Sequence, residues 1–135
     1  VDVDNKCLIK NNFAAAKQVF RDNALYPAIR ENSTDYVVSI DEDLFASIKA
    51  NSNKTIKEVS FLIGSYYQDR LEKDMNKLGY KCLSKKLSYV TLGNGAVVPQ
   101  STYGVGNKRM LIRDIGNGML QLIFKRQATS TTKRK

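Results

Sequence analysis

Phe13, Ala16, Val19 and Phe20 fall at i, i+3, i+6 and i+7, which predicts an apolar helical stripe. Asn11 or Asn12 stands where an N-cap is needed, and its amide oxygen can satisfy orphan N–H groups. Tyr26-Pro27 interrupts the helix, because proline disfavours helical backbone at the residue before it. Tyr36–Ile40 is β-rich and reads as a short strand or an extended lead-in. Asp41 then reads as an N-cap, with Glu42 and Asp43 at the positive end of a helix that buries Leu44, Phe45 and Ile48. Asn51-Ser52-Asn53 ends that helix. Thr55 and Glu58 have capping-box spacing. They predict a long helix from Ile56 to about Leu78, with Ile56, Val59, Ile63, Tyr66, Tyr67, Leu71, Met75 and Leu78 as its apolar set. Gly79 supplies the C′ stop, and Gly64 inside the helix implies a close neighbour.

After Gly79 the period changes from helical to alternating. Leu87–Leu92, Ala96–Thr102, Arg109–Ile115 and Met119–Arg126 read as strands. Gly93-Asn94-Gly95, Gly104-Val105-Gly106-Asn107 and Gly116-Asn117-Gly118 separate them, and Asn-Gly is a strong hairpin signal. Pro99 belongs at a sheet edge or breaks its strand. The fold class expected is α+β, with N-terminal helices packed on a C-terminal antiparallel β-meander of three to four strands. One domain is expected over 1–127, helical over about 12–79 and sheet over about 80–127, followed by a basic polar tail over 128–135.

Composition changes this picture little, but charge changes it a great deal. A chain of 135 residues with 42% hydrophobic positions suits one folded domain. No apolar run is long enough for a membrane helix, and the N-terminus has no signal-peptide pattern. There is no histidine, so imidazole bases and ligands are excluded. Residues 1–79 carry 11 basic and 12 acidic side chains, whereas residues 80–135 carry 11 basic side chains and one acid, Asp114. Such an excess is a statement about partners, and a polyanion is the default. The bland alternative is a solubilising surface with a basic tail.

Alternation puts Arg109, Arg113, Gln121 and Lys125 on one face of the last hairpin, with Arg126 at the strand end on the other. Tyr89 and Tyr103 come from neighbouring segments, and Lys85, Lys86 and Lys108 add cations beside them. Basic groups with aromatics suit phosphate contact and base stacking. The nucleic-acid-binding set is thus Lys85, Lys86, Tyr103, Lys108, Gln121 and Arg126. If the face also cleaves RNA, Arg109, Arg113 and Lys125 would stabilise charge at phosphorus, and Tyr89 completes the candidate catalytic set. Asp114 faces away from Arg113, and Glu58 or Asp69 serves only if its helix approaches. Asp41-Glu42-Asp43 reads as a helix N-terminus, not a metal site, and no cofactor motif is present. Cys7 and Cys82 are open to three readings, buried small apolar groups, a disulfide or free thiols, and their sequence contexts fit burial.

Two resemblances follow. Residues 36–71, with Leu44 and Ile48 four apart and Thr55 at a helix start, resemble the strand–helix–helix order of ribbon-helix-helix DNA-binding proteins. That likeness implies a dimer through 36–78 that binds DNA without catalysis, although its ribbon would carry Tyr36, Val38 and Ile40 in place of polar readers. Over roughly residues 13–126 the layout and charge are similar to the small ribonuclease toxins of the barnase, colicin and RelE type. These include the C-terminal domains of contact-dependent inhibition toxins. That resemblance implies metal-independent cleavage of tRNA or other structured RNA, an acidic immunity or inhibitor protein as partner, and a cytoplasmic site of action. It also implies delivery as the C-terminal domain of a secreted toxin.

Overall fold

The structure is a computed structural model that describes residues 11–84 and 88–126. Asn12 Oδ1 accepts the Ala15 backbone N–H at 2.9 Å. This cap starts helix α1, Phe13–Asn23, which buries Phe13, Ala16 and Phe20. Past the expected strand at Tyr36–Ile40 the chain departs from expectation over 44–64. Strands β1 (Arg30–Glu31), β2 (Asp35–Asp41), β3 (Leu44–Ala50) and β4 (Ile56–Gly64) form an antiparallel meander. Helix α2 covers only Gln68–Leu78. Strands β5 (Lys81–Cys82), β6 (Ser88–Thr91), β7 (Val97–Val105), β8 (Lys108–Gly116) and β9 (Met119–Arg126) complete the described chain.

The expected layout of N-terminal helices on a small C-terminal meander is therefore wrong. The described residues form one antiparallel sheet of nine strands, ordered β1-β2-β3-β4-β9-β8-β7-β5, with β6 also pairing with β7. The two α-helices among the described residues are short, and α2 lies between β4 and β5 in the chain. The ribbon-helix-helix likeness falls with it, because both of its helices start as strands.

The physical reason lies in the spacing. Leu44 and Ile48 are four apart, which satisfies a period of 2 as well as one of 3.6. The rest of each segment decides between them. In β3, Ala46, Ile48 and Ala50 are buried while Phe45, Ser47 and Lys49 are not. In β4, Val59, Phe61 and Ile63 are buried while Glu58, Ser60 and Leu62 are not. Asp41-Glu42-Asp43 is the β2–β3 connection, with Asp41 Oδ1 accepting the Glu42 N–H at 2.7 Å. Asp43 Oδ2 accepts the Tyr66 hydroxyl at 2.7 Å; this bond, more than any other contact, holds the phenol well above its ordinary pKa. Thr55 is a turn residue, since its N–H and its hydroxyl both donate to Asn53 Oδ1.

Gly64 ends β4 where a Cβ would collide with the Tyr66 ring. Gly79 ends α2 with φ 86°, and the Tyr80 N–H donates to the Met75 carbonyl at 3.0 Å. Both helices bury their apolar side chains in one core cluster on one face of the sheet. There the rings of Phe20 and Phe61 meet edge to face at 5.6 Å, and Phe61 and Phe124 do so at 6.0 Å. The β4–β9 pairing joins the β1–β4 and β6–β9 halves, and the core runs across that seam. No helix among the described residues is long and apolar enough to cross a membrane.

Candidate nucleic-acid interface

Because side chains alternate along every strand, the residues not turned to the helices form a second face. The registers align them in transverse rows. One row runs Phe45, Leu62, Gln121, Arg113 and Gln100 across β3, β4, β9, β8 and β7. The next runs Arg30, Val37, Ser47, Ser60 and Ile123 across β1, β2, β3, β4 and β9. Ile123, Leu111 and Val98 are buried on this side, where the β6–β7 hairpin lies over the sheet.

β1 and β7 stand six steps apart in the strand order, roughly 29 Å on a flat sheet at about 4.8 Å per strand. Yet Arg30 of β1 and the turn residues Thr91–Asn94 that lead into β7 line one cleft of about 690 Å³. The sheet therefore curls around its helix-free face. Among the described residues three cations line the cleft, Arg30, Lys49 and Arg113, and no carboxylate does, although Asp35 and Glu58 stand opposite Lys49 in register on the same face.

Arg113 is the most constrained of the three. Its Nε–H donates to Gln100 Oε1 at 2.8 Å, and an Nη1–H donates to Gln121 Oε1 at 3.4 Å. These neutral acceptors fix the guanidinium plane and leave its charge uncompensated. Among the described residues two of the five N–H donors are engaged, which leaves three for a ligand. Ser47 and Ser60 face each other across β3 and β4 with their hydroxyls hydrogen-bonded to one another. Among the described residues no group of three or more His, Cys, Asp or Glu side chains is placed to hold a metal ion. A second pocket, of about 330 Å³, opens on the helix side. It is mostly apolar, and Asp74 offsets its one cation, Arg70.

The residues predicted from sequence are divided by this geometry. Arg109, Arg113, Gln121 and Lys125 share the helix-free face by register, but only Arg113 and Gln121 line the cleft. The Arg109 guanidinium folds back onto its own turn, donating to the Gly106 and Lys108 carbonyls at 2.7 and 2.8 Å. It also fills the space above Gly104. Lys125 lies opposite Arg109 and is exposed. Tyr89, Tyr103, Lys108 and Arg126 alternate to the helix-side face. Asp114 also lies on that side by alternation, so no acid of the basic half joins the cleft. The candidate catalytic set Arg109, Arg113, Lys125 and Tyr89 is thus not assembled at one place. Lys85 and Lys86 lie outside the described residues, as does Cys7. Cys82 is exposed, contrary to the burial its context suggests.

Tyr103 has a different part to play. Partial burial raises its phenol pKa, and Cys82 and Glu72 push the same way. The folded state therefore favours the neutral phenol. Stability from this source is intact below the ordinary tyrosine value of 10.0 and is lost as pH rises through the higher folded value. Urea midpoints taken from pH 9 to 11 should fall less steeply in Tyr103→Phe than in the parent.

Arg30, Lys49, Ser47, Ser60 and Gln100 escaped the sequence reading. For Ser47, Lys49 and Ser60 the signal is the alternation of β3 and β4, where polar residues interleave with buried ones. Comparisons with protein-family models, with curated proteins and with solved structures return no match.

Proposed function

We propose that this chain is an RNA-binding domain whose contact surface is the cleft on the helix-free face. The observation that carries the reading is Arg113 in the cleft lining, held by two neutral glutamines, with Arg30 and Lys49 as further cations and no carboxylate in the described lining. Arg113 presents a guanidinium held flat between two glutamines, a geometry matched to phosphate oxygens. Lys49 and Arg30 add charge along the strand direction and across the sheet. The basic excess of residues 80–135 supplies a broader attractive field.

Cleavage asks for more. A toxin-type ribonuclease needs a proton acceptor beside the phosphate as well as cations for the developing charge. The described lining offers the cations and two serine hydroxyls, and no carboxylate. The cleft therefore supports binding first, and cleavage is an additional activity that the same assay detects.

The test incubates the purified chain with total tRNA and with duplex DNA, with and without EDTA. Binding is read by native gel and cleavage by denaturing gel. Salt-sensitive RNA complexes are the expected result, and discrete EDTA-resistant fragments would add catalysis. Absence of an RNA complex at 50 mM salt would overturn the proposal.

A further inference from the structure

The cleft does not offer charge alone. Phe45 and Leu62 stand in the same transverse row as Arg113, and Leu92 lies in the turn that walls the cleft. Phe45 and Leu92 are half-buried, so each keeps surface open toward the space between them. Phe45 and Arg113 are three strands apart, roughly 14 Å at about 4.8 Å per strand. A cationic cleft with an apolar floor discriminates by shape. An RNA duplex holds its bases inside and offers a convex surface of phosphates and 2′-hydroxyls, which is read across its minor groove. The Thr91–Asn94 wall stands in the way of such a cylinder, and Phe45 has no base to meet on it. An unpaired strand can turn its bases onto aromatic and apolar side chains while its phosphates stay on cations. The cleft volume of about 690 Å³ lies within the range of about 300–1,000 Å³ typical of small-ligand sites, enough for about one or two nucleotides and not for a helical turn.

Resting on the RNA-binding reading, we infer that the cleft selects unpaired RNA, with one base against Phe45 and the flanking phosphates on Arg113 and Lys49. Loops, bulges and single-stranded tails are the RNA elements that present this chemistry. Duplex RNA and simple polyanions are the competitors it excludes.

The experiment compares three probes by fluorescence anisotropy at one salt concentration: a labelled single-stranded uridine octamer, a labelled RNA duplex of equal length, and inorganic polyphosphate as competitor. The expected result is a single-strand Kd at least tenfold below that of the duplex, with polyphosphate a poor competitor per charge. Phe45→Leu keeps an apolar side chain in place and removes the ring. It should weaken octamer binding about tenfold with the salt slope unchanged, because stacking is not electrostatic. Equal or tighter duplex binding would overturn the inference and leave the RNA-binding reading standing, as would an octamer Kd unaffected by Phe45→Leu. Binding of polyphosphate as tightly as RNA would overturn the inference in the same way. No binding to either RNA would overturn both.

Discussion

Replacing Phe124 with alanine lowers the free energy of unfolding by about 3–5 kcal/mol. The side chain is fully buried, at 0% exposure. It sits on β9, opposite Val59 of β4 on one side and Met110 of β8 on the other, so it occupies the seam between the two halves of the sheet. Its ring meets Phe61 at 6.0 Å and Tyr80 at 6.4 Å, both edge to face. Those neighbours are tied to hydrogen-bonded backbone and cannot collapse freely into the space left behind. Native domains are stable by only about 5–15 kcal/mol, so the alanine variant would keep a small remainder or unfold. Urea denaturation with the slope monitored checks the value, and Phe124→Leu should lose much less. A loss below about 1 kcal/mol for alanine would contradict the placement of β9 at the centre of the core.

Arg113→Ala weakens RNA binding by about ten- to a hundredfold, the equivalent of the roughly 1.5–3 kcal/mol assigned to hydrogen bonds of charged groups. The structure gives the reason for so large a share falling on one residue. Gln100 and Gln121 hold the guanidinium in place before any ligand arrives, so little side-chain entropy is lost on binding. Arg113→Lys should restore little, because an ammonium has neither the planar fork nor the Nε–H that Gln100 accepts. Anisotropy titrations report the affinities, and thermal melts show that both variants remain folded. A Kd within twofold of the parent for Arg113→Ala would remove this residue from the site.

Much of the C-terminal sheet was legible because its turns carry their own chemistry. Gly95, Gly106, Gly116 and Gly118 all have positive φ, as does Asn117. Those residues mark hairpins whatever surrounds them. The first helix was legible from a cap and a stripe, and the end of α2 from Gly79. The strands over 44–64 were misread because Leu44 and Ile48, like Val59 and Ile63, stand four apart, a spacing that a helix also accepts. There Thr55, Ile56, Val59 and Ile63 favour strand by β-branching, but the Thr55–Glu58 spacing imitates a helix start. Arg113 and Gln121 emerged as neighbours from alternation alone. Arg30 and Lys49 did not, since the residues around Lys49 also fit a helical period and the place of both depends on long-range pairing. Sequence had no means of showing that Arg109 bends back onto the Gly106 carbonyl. Nor did it show that the sheet curls and brings β1 toward the β6–β7 turn.

The central claim is that RNA contacts the helix-free cleft and not basic residues in general. The most direct test removes equal charge from the two faces. One variant carries Arg30→Ala, Lys49→Ala and Arg113→Ala; the other carries Lys73→Ala, Lys77→Ala and Arg126→Ala. Each is titrated with single-stranded RNA over a range of salt. Three phosphate contacts on a single strand contribute a slope of about 2 in log K against log salt, and about a hundredfold in affinity at 0.1 M. A loss of that size is expected for the cleft variant, with the helix-side variant close to the parent. Equal losses in the two variants, or a larger loss in the helix-side variant, would contradict it.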